Sequence, residues 1–174
     1  MKALRLLSLL FLGIITSCNS IRVASDYDTS VDFSKYKTFA FHKSGIDKVP
    51  ISEFDKKRIM KSIESELNKK GITRSETPDL MVNFFTKENQ VVDTTPYYYG
   101  GWGYGWGYGW GGTYVTTTTE GELYIDLIDA KKNELIWQGQ GTGYLEQYTN
   151  KKDEKVNEFV AKILMQYPPG KSKK

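Results

Sequence analysis

Few residues in this chain are of types that do chemistry, and their spacing limits what they can do. The only histidine, His42, closes the stretch YKTFAFH with no second imidazole or cysteine at ligand spacing, so it reads as a strand-end residue. No serine sits in a G-x-S-x-G setting, and a nucleophilic triad would have to recruit that same histidine with no motif to support it. Paired carboxylates are better candidates: Asp26 with Asp28, Glu120 with Glu122, and Asp126 with Asp129. Alternate residues of a strand project from one face, so Asp26/Asp28 or Glu120/Glu122 could hold a calcium ion or divide acid and base roles. A hydrolase would use the carboxylates around Asp126 and Glu122. The competing expectation is a solvated face on a half-exposed sheet, with no catalytic residue, no metal and no cofactor.

The glycine-rich stretch GGWGYGWGYGWGG, Gly100–Gly112, is no phosphate cradle, because it lacks both the P-loop lysine and a strand-turn-helix setting. Trp102, Tyr104, Trp106, Tyr108 and Trp110 occupy every second position. In an extended chain these rings share one face, about 6.6 to 7 Å apart. Such a comb would stack on sugars, peptidoglycan or a neighbouring chain, or lie at a lipid interface. Alternate glycines make ordering costly, so the first expectation is a loop joining two strands, and the second is a ligand-contact or self-association ribbon.

The elements around these residues begin with an address. Residues 1–17, MKALRLLSLLFLGIITS, carry Lys2 and Arg5 ahead of an apolar run from Leu6 to Ile15, too short for a comfortable permanent span. The run ends in ITSC, which resembles the lipobox of bacterial lipoproteins. That resemblance implies removal of residues 1–17, a thioether-linked diacylglycerol on Cys18 and an acyl chain on its new amino group. Two or three acyl chains give a stable anchor where one does not. Asn19 is not the aspartate that retains such proteins at the inner membrane of enteric bacteria, and no acidic run follows the cysteine. The expected location is therefore the outer membrane, lipid-anchored and facing the periplasm.

Cys18 is the only cysteine, so the mature domain has no disulfide and no thiolate ligand. Without Lys2 and Arg5, the 24 basic residues become 22 against 21 acidic ones, and the formal charge of +3 largely disappears. That balance gives no surface for tracking nucleic acid. Partners are sought instead in the membrane, through the lipid, and among envelope proteins or peptidoglycan. About 157 residues remain, enough for one domain with a real core.

Periodicity predicts strands at Ile21–Asp28 and Tyr36–Phe41. A helix over about 53–70 follows, opened by Ser52 with Asp55, striped by Ile59, Ile63 and Leu67, and closed at Gly71. Asp79–Val92 reads as a strand. After the glycine-rich segment, an alternating strand with Leu123, Ile125 and Leu127 inward turns at KKNE into LIWQGQGTGYLEQY, with Trp137 a core candidate. Gly139, Gly141 and Gly143 share one face there, which predicts a closely packed helix or bulges. The last helix has Asn150 as N-cap, Asp153 at N3, and Val156, Phe159, Val160, Ile163, Leu164 and Tyr167 on one face, ending at Pro168 and Pro169. The fold class is α+β, a two-layer sandwich with two helices on one face of a mainly antiparallel sheet, in the order β-β-α-β-(Gly-rich loop)-β-β-α. The domain plan is 18–28 as lipidated N-terminus and first strand, 29–168 as a single domain with an insert at 97–112, and 169–174 as a basic tail.

Three phrases in order, VASDYDTSVDFSKYKTFAF, PDLMVNFF and GELYIDLIDAKKNELIWQGQGTG, resemble the lipoproteins of domain-of-unknown-function family 4136 over nearly the whole mature chain. Its members similarly carry a lipoprotein signal and often a Gly/Tyr/Trp-rich insert before the GELYIDLID strand. The resemblance implies the address and the fold; it brings no catalytic residue and no cofactor. The expected function is a non-catalytic envelope lipoprotein, a binding or structural module. The alternatives are a glycan-binding or self-associating protein working through the aromatic ribbon, and a carboxylate-dependent hydrolase.

Overall fold

A computed structural model describes residues 21–97, 112–143 and 151–169. Strands β1 (Arg22–Tyr27), β2 (Thr38–Phe41), β3 (Thr73–Arg74), β4 (Leu80–Tyr97), β5 (Gly112–Asp129) and β6 (Glu134–Gly143) form one mixed sheet in the order β1-β6-β5-β4-β2-β3. The β1–β6, β6–β5 and β5–β4 ladders are antiparallel, and β2 is parallel to both β3 and β4. Helices α2 (Glu53–Lys69) and α3 (Lys152–Leu164) form the second layer, and a short α1 (Lys43–Ile46) follows β2. The α+β sandwich is as expected; α1 and the two-residue β3 are additions to it.

Local chemistry explains the boundaries. Ser52 Oγ accepts from the Asp55 backbone N–H at 3.1 Å while donating to the Asp55 carboxylate at 2.7 Å, a reciprocal cap that starts α2. Gly71 stops it with φ at 78°, a left-handed conformation that glycine adopts without strain. Asn133, at φ 57°, makes the turn between β5 and β6. The start of α3 differs from expectation. Lys151 occupies the N-cap position with no side-chain cap, so Asp153 is the second helical residue, and Asn150 lies outside the described residues. The predicted continuation of β6 through Tyr148 lies outside them too.

One face of the sheet is apolar and covered. Leu80, Val82 and Phe84 of β4, Leu123, Ile125 and Leu127 of β5, and Phe39 and Phe41 of β2 are buried beneath Ile59, Ile63 and Leu67 of α2 and the whole predicted stripe of α3. Each such side chain contributes about 1.5–3 kcal/mol relative to exposure. Trp137 is fully buried, with its ring edge-on to Tyr167 at 5.5 Å. The glycines of β6 let α3 sit this deep. A methyl group on Gly139 would lie 2.3 Å from the Trp137 ring and 2.5 Å from Ile163, and one on Gly141 would lie 2.6 Å from Phe159. Gly143 is looser, its nearest neighbour being Phe159 at 3.1 Å.

This close packing sets an order of sensitivity. Gly139→Ala and Gly141→Ala are each expected to lower stability by about 1–3 kcal/mol through displacement of α3, and Gly143→Ala by clearly less. Urea denaturation of the three variants measures it. Equal small effects would mean that α3 is not seated on the glycine face.

Candidate functional site

The opposite face of the sheet carries no helix of the second layer, and the ladder register sorts its side chains into rows. Nearest the β5–β6 turn lie Ala40, Met81, Ile128 and Leu135, the last 53% exposed. Next come Asn83, Asp126, Gln138 and Asp26, then Phe85, Tyr124, Gln140 and Ala24, then Lys87, Glu122, Thr142 and Arg22. Antiparallel partners point to the same side, which is why each row is a physical stripe across several strands.

The second row holds the unusual group. Asp126 is only 8% exposed although it lies on the face opposite α2 and α3. Gln138 Nε2 donates to its Oδ1 at 2.7 Å, and Asn83 supplies a second side-chain hydrogen bond. Burial pushes the Asp126 carboxyl above the ordinary carboxylate range, because desolvation outweighs those two donors. The Asn83 Oδ1 atom is buried without a hydrogen-bond partner. Gly45 of α1 closes over it so tightly that a methyl there would sit 2.5 Å from Oδ1 and 2.8 Å from His42 Nδ1. His42 is thus a strand-end residue, its backbone N–H donating to Val82 O, with Ser44 Oγ 3.4 Å from its Nε2.

In the third row the Phe85 and Tyr124 rings stack, 4.6 Å between centroids and 5° from parallel. Lys87 Nζ hangs 5.0 Å from the Tyr124 ring centre, and the Tyr124 hydroxyl donates to Glu122 at 2.9 Å. The result is a flat aromatic and charged surface, not a cleft. A groove between α2 and α3, about 230 Å³ in volume, has Arg58 and Lys61 on its wall. Arg58 is already held there by Asp55 and Asp153.

The expected carboxylate pairs separate. Asp26 remains in β1, but Asp28 has left the strand and accepts from the Ser30 backbone N–H and hydroxyl at 2.8 and 2.7 Å. Glu120 is paired with Arg22 at 2.7 Å while Glu122 takes the Tyr124 hydroxyl. Asp129 lies on the covered side, where it accepts from the Tyr36 hydroxyl at 2.7 Å and from the backbone N–H groups of Lys131 and Lys132. Those donors, Tyr36 first, bring its pKa down to about 2. Asp126 and Glu122 share a face but stand four residues apart on β5, about 13 Å, with Tyr124 between them. They do not converge on a common atom. Among the described residues no group of three or more His, Cys, Asp or Glu side chains could hold a metal ion.

Cys18, Trp102, Tyr104, Trp106, Tyr108 and Trp110 lie outside the described residues. The strands that flank the aromatic segment are described, and they run further than expected. β4 passes Val92 and continues through Pro96 to Tyr97, because Thr113–Thr116 keep pairing with the stretch Asp93–Pro96, and Tyr97 lies opposite Gly112. Cross-strand pairing overrides the local breakers. Burial of Asp126 was not legible in the sequence: alternation placed it on the open face, and nothing local indicated that Asn83 and Gln138 would enclose it.

The chain belongs to the family described as Domain of unknown function (DUF4136), whose model matches residues 23–169. No curated protein matches it. Among solved structures, a PDZ domain protein from Parabacteroides distasonis ATCC 8503 is similar over 87% of this chain, with 24% identity and a TM-score of 0.54. This chain spans 36% of that protein's length, and the likeness is one of fold alone. The PelC dodecamer from Paraburkholderia phytofirmans is 11% identical over 83% of this chain and 95% of its own, with a TM-score of 0.49.

The two buried aspartates should move stability in opposite directions with pH. A raised carboxyl keeps its proton in the folded chain after the unfolded chain has lost it, so the contribution of Asp126 falls as pH rises from 3.8 through its folded value. Asp126→Asn is therefore expected to gain on the parent above pH 3.8 and not below. The contribution of Asp129 is complete above 3.8 and lost as pH falls towards 2. Asp129→Asn should cost about 2 kcal/mol at pH 7 and progressively less towards pH 2. Urea midpoints of both variants across pH 2–8 check the signs.

Proposed function

We propose that this DUF4136 chain is a non-catalytic lipoprotein of the cell envelope, a binding or structural module held by acyl chains on Cys18 at the outer membrane and facing the periplasm. The observation that carries this is the order of Lys2 and Arg5, the apolar run Leu6–Ile15 and the sequence ITSC. The position of the first strand supports it: β1 begins at Arg22, four residues after the cysteine, so the lipid would hold the domain close to the surface. No helix of the described residues is long and apolar enough to cross a membrane. The surface offered for binding is the sheet face opposite α2 and α3, with its Phe85/Tyr124 stack and the stripe Ala40, Met81, Ile128 and Leu135. The wide separation of Asp126 and Glu122 weighs against the carboxylate-dependent hydrolase.

A second reading is peptidoglycan or glycan contact through Trp102, Tyr104, Trp106, Tyr108 and Trp110, and the flanking strands, paired as far as Tyr97 and Gly112, support it. Added peptidoglycan fragments would then change tryptophan emission saturably in the full-length protein. The same titration of a variant with Trp102, Trp106 and Trp110 all replaced by Phe would be flat, because Trp137 is fully buried.

Lipidation is the decisive test of the anchor. Cells expressing the full chain should incorporate labelled palmitate into it and carry it in the outer-membrane fraction, and Cys18→Ser should abolish both. A parent protein that takes up no label, or a labelled Cys18→Ser protein, would remove the anchor from Cys18.

A further inference from the structure

The seam between α2 and α3 is apolar where it meets the core and polar at one groove. Ile59, Ile63 and Leu67 make the buried stripe of α2, and Ser62, three residues after Ile59, falls inside it. Ser62 is 3% exposed and lines the groove, yet its hydroxyl makes no hydrogen bond among the described residues. A buried hydroxyl without a partner is destabilising. The groove is where that partner can enter.

The charges around this hydroxyl do not cancel. Arg58, Lys61 and Lys69 line the groove against Glu66 and Asp153. Both carboxylates are already held: Asp153 by Arg58, which also reaches Asp55 at 3.0 Å, and Glu66 by Lys69 at 2.6 Å. Lys61 has no ion-pair partner among the described residues. The spare ammonium and the spare hydroxyl are therefore consecutive residues. Ser65 lies one turn on from both, at the i+3 and i+4 spacing that puts side chains about 5–6 Å apart at Cβ. Asn157 lines the groove from α3, one turn after Asp153.

A molecule entering here meets one uncompensated positive charge, a buried hydroxyl and two further polar side chains. That set matches a single negative charge carried on a polar body. A carboxylate supplies one charge and two acceptor oxygens, enough for the Lys61 ammonium and the Ser62 hydroxyl together. A doubly charged phosphate monoester fits less well, because Glu66 and Asp153 would repel the charge that Lys61 leaves unbalanced. The volume of about 230 Å³ far exceeds the roughly 30 Å³ of one water, so it takes the body of a small molecule and not a bare ion alone.

We propose that the α2–α3 groove is a binding site for a small carboxylate, with Lys61 and Ser62 taking the carboxylate and Ser65 and Asn157 meeting the polar body behind it. The site lies on the helical layer, away from the sheet face offered for binding above. It does not depend on the lipid anchor.

Calorimetric titration of the full-length protein at fixed ionic strength tests it. The probes are N-acetyl-alanyl-alanine and glucuronate, a peptide-borne and a sugar-borne carboxylate, with N-acetyl-alanyl-alanine amide and glucose as their uncharged counterparts. At least one acid should bind saturably, and about tenfold or more tighter than its uncharged counterpart; the tighter acid assigns the source. Lys61→Gln and Ser62→Ala should each weaken that acid by about tenfold. Lys131→Gln, exposed in the β5–β6 turn and outside the groove, should leave it unchanged. Neither acid saturating, or each binding no better than its counterpart, would overturn the site. A loss in Lys131→Gln equal to that in Lys61→Gln would also overturn it, in favour of diffuse charge attraction. Unchanged affinity in Ser62→Ala would reduce Ser62 to a small residue that lets the helices approach and overturn its role as a ligand contact. Inorganic phosphate binding more tightly than either acid would overturn the choice of carboxylate.

Discussion

The contact on which the molecule depends is the seating of α3 on the glycine face of β6. Gly139 and Gly141 remove the side chains that would hold the helix away, and Trp137, Phe159 and Ile163 fill the space so made. Because β6 is flanked by β1 on one side and β5 on the other, the same contact secures the edge strand and the centre of the sheet. With Cys18 the only cysteine, no disulfide forms within the chain, and this packing and the stripe of α2 carry its stability.

Committing both helices to one face leaves the other to meet something else. Its stripes differ in character, from the apolar row at the β5–β6 turn to the ion-bearing row near Arg22. Asp126 within it is a costly group to bury, since its two amide donors do not offset its desolvation. Asp129, three residues on, is the reverse case, a carboxylate supplied with enough donors to favour its charged form. One secures the turn; the other weakens the fold it belongs to. Groups of the second kind are the ones that stability alone does not explain.

The long β4–β5 ladder ties these layers to the edge strand β1. Among the described residues its last nine pairs, from Asn89↔Glu120 to Tyr97↔Gly112, have no third strand beside them, and two strands bury little between them. Its base is braced by the Arg22–Glu120 ion pair, with Glu120 almost fully buried and Arg22 largely exposed. Strand β1 is therefore more than a sheet edge: through Arg22 it holds β5 at Glu120.

What the sequence alone determined is local and periodic. The 3.6-residue stripes of Ile59, Ile63 and Leu67 and of Val156 through Tyr167, the Ser52 cap, the Gly71 stop, the turn at Asn133 and the inward Leu123, Ile125 and Leu127 all follow from interactions a few residues long, and the structure has them. The strand glycines signalled a close helix because an absent side chain has few other uses on a buried face. Only the tertiary structure decided which strands are neighbours. The pairing of β1 with β6, the continuation of β4 past Pro96, the enclosure of Asp126 by Asn83 and Gln138, and the Arg22–Glu120 bridge join residues 12 to 120 positions apart. Periodicity states which way a side chain points within its own strand. It carries no information on what lies opposite, because that depends on chain closure and on the packing of the whole sheet.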